Sequence, residues 1–157
     1  TRNVVPINLP AALLPAIEWD GIRSERPLMG AVADLNEDGV SDYLLKGGAD
    51  VCDIGGCLYG IIDGKSRKPI GEIWGDPLIV RGDRNHGFHT IDSYSQGSAR
   101  SGTFATSFFD GLAYVNKETK FIEGRQIEIL FWRFEKLPRW PPATAARPLP
   151  ATGAVLR

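Results

Sequence analysis

Long apolar runs are missing from this chain: no stretch approaches the ~20 residues that a membrane-spanning helix requires. Excess charge of either sign is missing too. Eighteen Lys and Arg stand against 19 Asp and Glu, for a formal net charge of −1. Such a balance gives no whole-chain field to recruit nucleic acid or an anionic membrane. With 2 His and 2 Cys there are too few soft or imidazole ligands for a typical zinc centre. The sequence also lacks the G-x-S-x-G elbow of acyl transferases, the glycine-rich phosphate loops and the helical H-E-x-x-H pair, so no familiar catalytic motif is present. Glu72, Asp76 and Asp83 read as solvated turn and strand residues.

Glycine and proline are plentiful, at 18 and 11 of 157 residues. They punctuate the chain every few residues, which favours short strands joined by turns over long helices. The hydrophobic fraction of 43% and charged fraction of 24% are those of an ordinary soluble domain, and the length suits one core. The expected fold is mainly β. Antiparallel hairpins form a single sandwich-like or partly open barrel domain over residues 1–137, followed by an extended Pro-rich arm over 138–157.

Pro6, Pro10 and Pro15 restrict the first 27 residues to extended chain, with a short helical turn over 11–14. From Leu28, alternation of Met29, Ala31 and Ala33 predicts a strand that runs into an acidic loop and out again through a strand over 42–46. Further strands are expected over 58–62, 69–74 and 77–80. Segment 83–100, which holds both histidines, reads as polar and irregular. Segments 102–109 and 113–115 flank the turn signal Asp110-Gly111 and read as a hairpin. In 123–134, Ile127, Ile129 and Phe131 alternate, which favours a strand over a helix, with Trp132 and Phe134 core or half-buried.

The segment with the clearest chemistry is Asp34-Leu-Asn36-Glu-Asp38-Gly39-Val40-Ser-Asp42, of the form D-x-N-x-D-G-x-x-D. Ca2+ takes about 6–8 oxygen ligands, and alternate side chains of one tight loop can converge on it. Asp34, Asn36 and Asp38 are the expected direct ligands, Val40 supplies its carbonyl, and Asp42 ligates directly or through water. Gly39 allows the sharp turn. Leu45 occupies the twelfth position, where an EF-hand has a bidentate Glu. A structural site between strands is therefore expected instead of a sensor.

On these residues, 33–45 (ADLNEDGVSDYLL) resembles the calcium loop of FG-GAP and VCBS-type repeats of integrin-like β-propellers. That resemblance implies Ca2+ as cofactor and a loop joining two strands. A propeller needs at least four blades and this chain shows one loop, so the propeller itself is not expected. The wider order of features is the acidic loop, Cys52-Asp-Ile-Gly-Gly-Cys57, and later Phe109-Asp-Gly-Leu-Ala-Tyr114. It is similar to small exported bacterial proteins of unassigned function. This implies a periplasmic or secreted location; a start at Thr1 fits a processed export substrate as well as a trimmed chain. It implies no catalytic residue.

Cys52 and Cys57 are expected to form a local disulfide, because the C-x-x-C spacing of redox dithiols is absent and further metal ligands are lacking. His86-Gly-Phe-His89 offers an alternative, a small exported hydrolase using both histidines with an acidic residue. A third possibility, a cell-wall or carbohydrate-binding module, requires exposed aromatics along one sheet face. The leading expectation is an exported, Ca2+-binding, non-catalytic module that holds a protein partner or neighbouring subunit, as an accessory subunit or inhibitor does. Aromatic and arginine side chains anchor interfaces, so Trp140, Arg139 and Arg147 of the arm are the candidate contacts.

Overall fold

The computed structural model describes residues 2–9 and 28–140, without the side chains of Leu28, Ala49, Arg139 and Trp140. The expected helical turn over 11–14, and Arg147 with the rest of the arm from residue 141, lie outside the described residues. Within them the chain is mainly β, and two antiparallel sheets pack as a sandwich, with no closed barrel among the described residues.

The first sheet is built from β8 (Leu78–Asn85), β9 (Phe88–Ser98), β10 (Ser101–Phe109) and β11 (Tyr114–Glu123), which run as consecutive hairpins. At its other edge β1 (Arg2–Val4) pairs antiparallel with β8, and β12 (Arg139–Trp140) pairs parallel with β1. In the second sheet β2 (Ile7–Leu9), β3 (Leu28–Ala33), β4 (Asp42–Lys46), β6 (Gly56–Ile62) and β7 (Pro69–Gly75) lie side by side. The two-residue β5 (Cys52–Asp53) pairs with the start of β6, opposing Cys52 to Cys57.

The period of two along each strand explains how the sheets meet. Ala31, Ala33, Leu44, Tyr59 and Ile61 point inward from one sheet, and Leu78, Val80, Ile91, Phe109 and Tyr114 from the other; together they form the main core. The opposite faces of β4 and β6 are apolar as well, giving a second cluster of Leu9, Tyr43, Leu45 and Ile62. β7 joins the two sheets. Gly75, at φ +144°, lies so close to β9 that a Cβ there would sit 2.6 Å from the Tyr94 carbonyl oxygen, so a side chain is excluded.

Two expectations are corrected. Segment 123–134 is not a strand after Glu123: Arg125–Lys136 forms helix α1. The spacing that decides it is Ile127, Leu130, Phe131 and Phe134, an i, i+3, i+4, i+7 stripe that packs on Ile79, Tyr94 and Phe104 of the first sheet. The alternating Ile129 is 44% exposed and Trp132 56%, where Lys136 Nζ lies 3.6 Å from its ring centroid. Arg133 and Lys136 complement the helix C-terminus. Nor is segment 83–100 irregular: it is the end of β8 and all of β9. Its middle is the two-residue turn His86-Gly87, with φ +47° and +88°, the doubly positive pattern of a tight hairpin.

Candidate functional site

The acidic loop between β3 and β4 curls around its own carboxylates. Asp34 accepts from the backbone N–H of Asp38 (3.1 Å) and of Gly39 (2.8 Å), and Asp38 accepts from Val40 N–H (2.8 Å). Asn36 Oδ1 also accepts from Asp38 N–H (3.2 Å), and its Nδ2 donates to Asp38 Oδ2 (3.2 Å). Gly39 sits at φ +86° and Glu37 at +59°, which closes the turn. The sequence therefore brings Asp34, Asn36 and Asp38 into one turn, as expected from their spacing.

Asp42 is placed differently from its neighbours. It is 0% exposed, and its two oxygens accept from Leu35 N–H and Gly64 N–H, each at 2.8 Å. Burial is the main cause that raises its carboxyl from the ordinary 3.8 to about 6; those two N–H groups oppose the rise, and the Asp63 and Asp38 carboxylates add to it. Its geometry is that of a clasp between the acidic loop and the turn after β6. The oxygens of Asp34, Asn36 and Asp38 and the Val40 carbonyl suit a hard cation in kind. Among the described residues, no three His, Cys, Asp or Glu side chains form a metal-holding group.

Glu37 ties the loop to the first sheet. Its carboxylate lies 3.2 Å from the Arg84 guanidinium and 3.3 Å from His89 Nε2, and His89 N–H donates to the Leu35 carbonyl (2.9 Å). A cavity of about 400 Å³ opens beside this contact, with Arg2, Asp34, Arg81 and His89 in its wall. Here Arg81 pairs with Asp83 at 2.8 Å, and lies 3.7 Å from Asp92, whose carboxyl is raised chiefly by burial.

The two histidines serve different elements. His89 Nδ1 donates to the Arg81 carbonyl at 2.7 Å, which places a hydrogen on that nitrogen. His86 Nδ1 lies 3.2 Å from the Phe109 carbonyl, beside the Asp110-Gly111 turn. Asp110 is held below the usual carboxylate range, first by N–H donors of Ala113 and Leu112 and then by His86. The carboxylate against His89 is Glu37 and the one beside His86 is Asp110, so the pair does not converge on a shared acid as a hydrolytic centre requires.

A second polar region was not foreseen from the sequence. The inner face of β9, β10 and β11 runs past the rim of the other sheet, and the edge strand β7 walls it on one side. Together they line an open cleft of about 240 Å³. Trp74, 37% exposed, reaches across from β7, and its indole N–H donates to Ser95 Oγ at 3.1 Å. Ser93 and Ser107 lie deep in the cleft, with Thr103 further out. No hydrogen bond engages these three hydroxyls among the described residues. Asn116 and Thr119 bond to each other on β11, and Glu72 completes the wall. Phe121, 65% exposed, pairs across the strands with Thr103 and so shares its face.

Cys52 and Cys57 form the expected disulfide. Of the partner-contact candidates, Arg139 and Trp140 are described by backbone only: as β12 they place the start of the arm on the sheet edge beside β1. Comparison of the chain with family models, with curated proteins and with solved structures finds no match.

Proposed function

We propose that this chain is a non-catalytic, Ca2+-stabilised binding module of the periplasmic or extracellular space. The observation that carries the reading is the acidic loop. Asp34, Asn36 and Asp38 are gathered into one turn by backbone hydrogen bonds. That turn is fastened to the sandwich at Asp42 and Glu37. A cation held by Asp34, Asn36, Asp38 and the Val40 carbonyl would relieve the mutual repulsion of these carboxylates and stiffen one end of the domain. Asp42 is the clasp of that arrangement. The Cys52–Cys57 disulfide supports the exported location, since such bonds persist in oxidising compartments.

The protein partner is proposed to meet the arm. Among the described residues β12 is the outermost strand of its sheet, the position from which a chain segment can pair with a strand of a neighbour. Trp140, Arg139 and Arg147 remain the proposed contacts. A second reading, a cell-wall or carbohydrate-binding module, is favoured by the hydroxyl-lined cleft at Trp74.

Thermal unfolding of the oxidised protein, in Ca2+ and in chelator, tests the metal reading. The wild-type midpoint is expected to rise by several degrees in Ca2+, as mass action on a native-state site requires. Asp38→Ala is expected to show no rise. Equal midpoints for the wild type in both buffers contradict a Ca2+ site in this loop.

A further inference from the structure

We infer that the cleft between β7 and the β9–β10–β11 face binds a neutral, polyhydroxylated ligand, one sugar unit of a glycan chain. This rests on the carbohydrate-binding reading above and deepens it, and it is separate from the metal and arm assignments, because the cleft shares no residue with the acidic loop or with β12.

Hydroxyl groups both donate and accept, and so do the hydroxyls of a sugar. Ser93, Ser107 and Thr103 present such groups without a partner among the described residues. Asn116, bonded to Thr119, adds an amide to the cleft wall. None of the three hydroxyl oxygens is among the buried unpartnered atoms, so they are reached from the open cleft, where water or a ligand can meet them.

The aromatic component is equally specific. The hydrogen bond from Trp74 to Ser95 fixes the indole, so its ring stands as a preorganised apolar wall beside the hydroxyls. A flat apolar face next to convergent hydrogen-bonding groups matches a sugar ring, whose C–H face and hydroxyl rim differ in the same way. Among the described residues no Lys or Arg lines the cleft, so nothing there favours phosphate or another anion. The volume of about 240 Å³ is below the ~300–1,000 Å³ of sites that engulf drug-sized ligands. One unit fits at a time, with the neighbouring units passing over Phe121 on the same sheet face.

The test uses the full chain and isothermal titration with four neutral hexasaccharides: cellohexaose, chitohexaose, xylohexaose and maltohexaose. At least one is expected to bind, quenching or shifting tryptophan fluorescence. Trp74→Ala is expected to weaken it about tenfold. Trp74→Phe, which keeps a ring without the N–H, is expected to weaken it less, and Ser107→Ala to weaken it with the fold intact by circular dichroism. The interaction is expected to persist in chelator and after deletion of residues 141–157, which separates this site from the calcium and arm assignments. Absence of binding to all four at millimolar concentration overturns the inference, as does binding that Trp74→Ala and Ser107→Ala both leave unchanged. Preferential binding of polygalacturonate over the neutral chains overturns it too, since the inferred ligand is neutral.

Discussion

The acidic loop and the cleft are both polar, but their polar groups are used in opposite ways. In the loop each Asp carboxylate already accepts from backbone N–H groups, and Asp42 is sealed from solvent between two of them. In the cleft, Ser93, Ser107 and Thr103 meet no acceptor or donor of the chain among the described residues. A satisfied buried polar group holds structure, and its loss strands its partners. An open one contributes little to stability and is available to a ligand. The difference is what sets architecture in the loop against the proposed recognition in the cleft.

The strongest way to break that contrast is Asp42→Ala. It leaves Leu35 N–H and Gly64 N–H without an acceptor in a buried site, and is expected to cost about 3 kcal/mol in urea unfolding. A loss of only a few tenths would show that the clasp is dispensable and that the loop is as loosely held as the cleft.

The next effect is a pH dependence. The folded pKa of Asp42 lies at about 6, above its ordinary 3.8. The folded state therefore binds the extra proton, and stability from this group is full below about 4 and lost as pH rises through 6. In chelator the expected fall across that window is roughly 2 kcal/mol, and Asp42→Asn should remove it. Asp92, raised for the same reason, contributes a remainder of the same sign. An unchanged slope in Asp42→Asn would assign the titration to other groups. A smaller change is expected at the surface: Glu37→Gln weakens its contacts with Arg84 and His89 and should cost under about 1 kcal/mol, since Glu37 is well exposed. A larger loss would make this contact part of the framework together with Asp42.

How much of this was legible in the chain follows the same line. The acidic loop, the cysteine pair and the Asp110-Gly111 hairpin are local signals, and spacing alone places them: Asp34, Asn36 and Asp38 do share one turn, and the disulfide forms. The cleft was illegible because it is non-local. Trp74, Ser95, Thr103 and Asn116 come from separate strands, and only the packing of β7 against β9 brings them together. β9 was itself obscured, since serines on its inner face erase the apolar alternation that marks a strand. The same polar inner face that hid the strand makes the cleft. In α1 the error was one of period. Ile127, Ile129 and Phe131 suit a spacing of two, whereas burial follows Ile127, Leu130, Phe131 and Phe134. The helix gains its stability from covering the first sheet, a tertiary contact that local alternation does not report.

The most direct test of the contrast is the urea unfolding free energy of the double variant Ser93→Ala, Ser107→Ala, measured beside the wild type at the same pH. If these hydroxyls are open to a ligand, their removal should leave stability within about 0.5 kcal/mol of wild type or raise it slightly. A loss of about 2 kcal/mol or more would mean that they hold the sandwich together, and the cleft would then belong to the architecture.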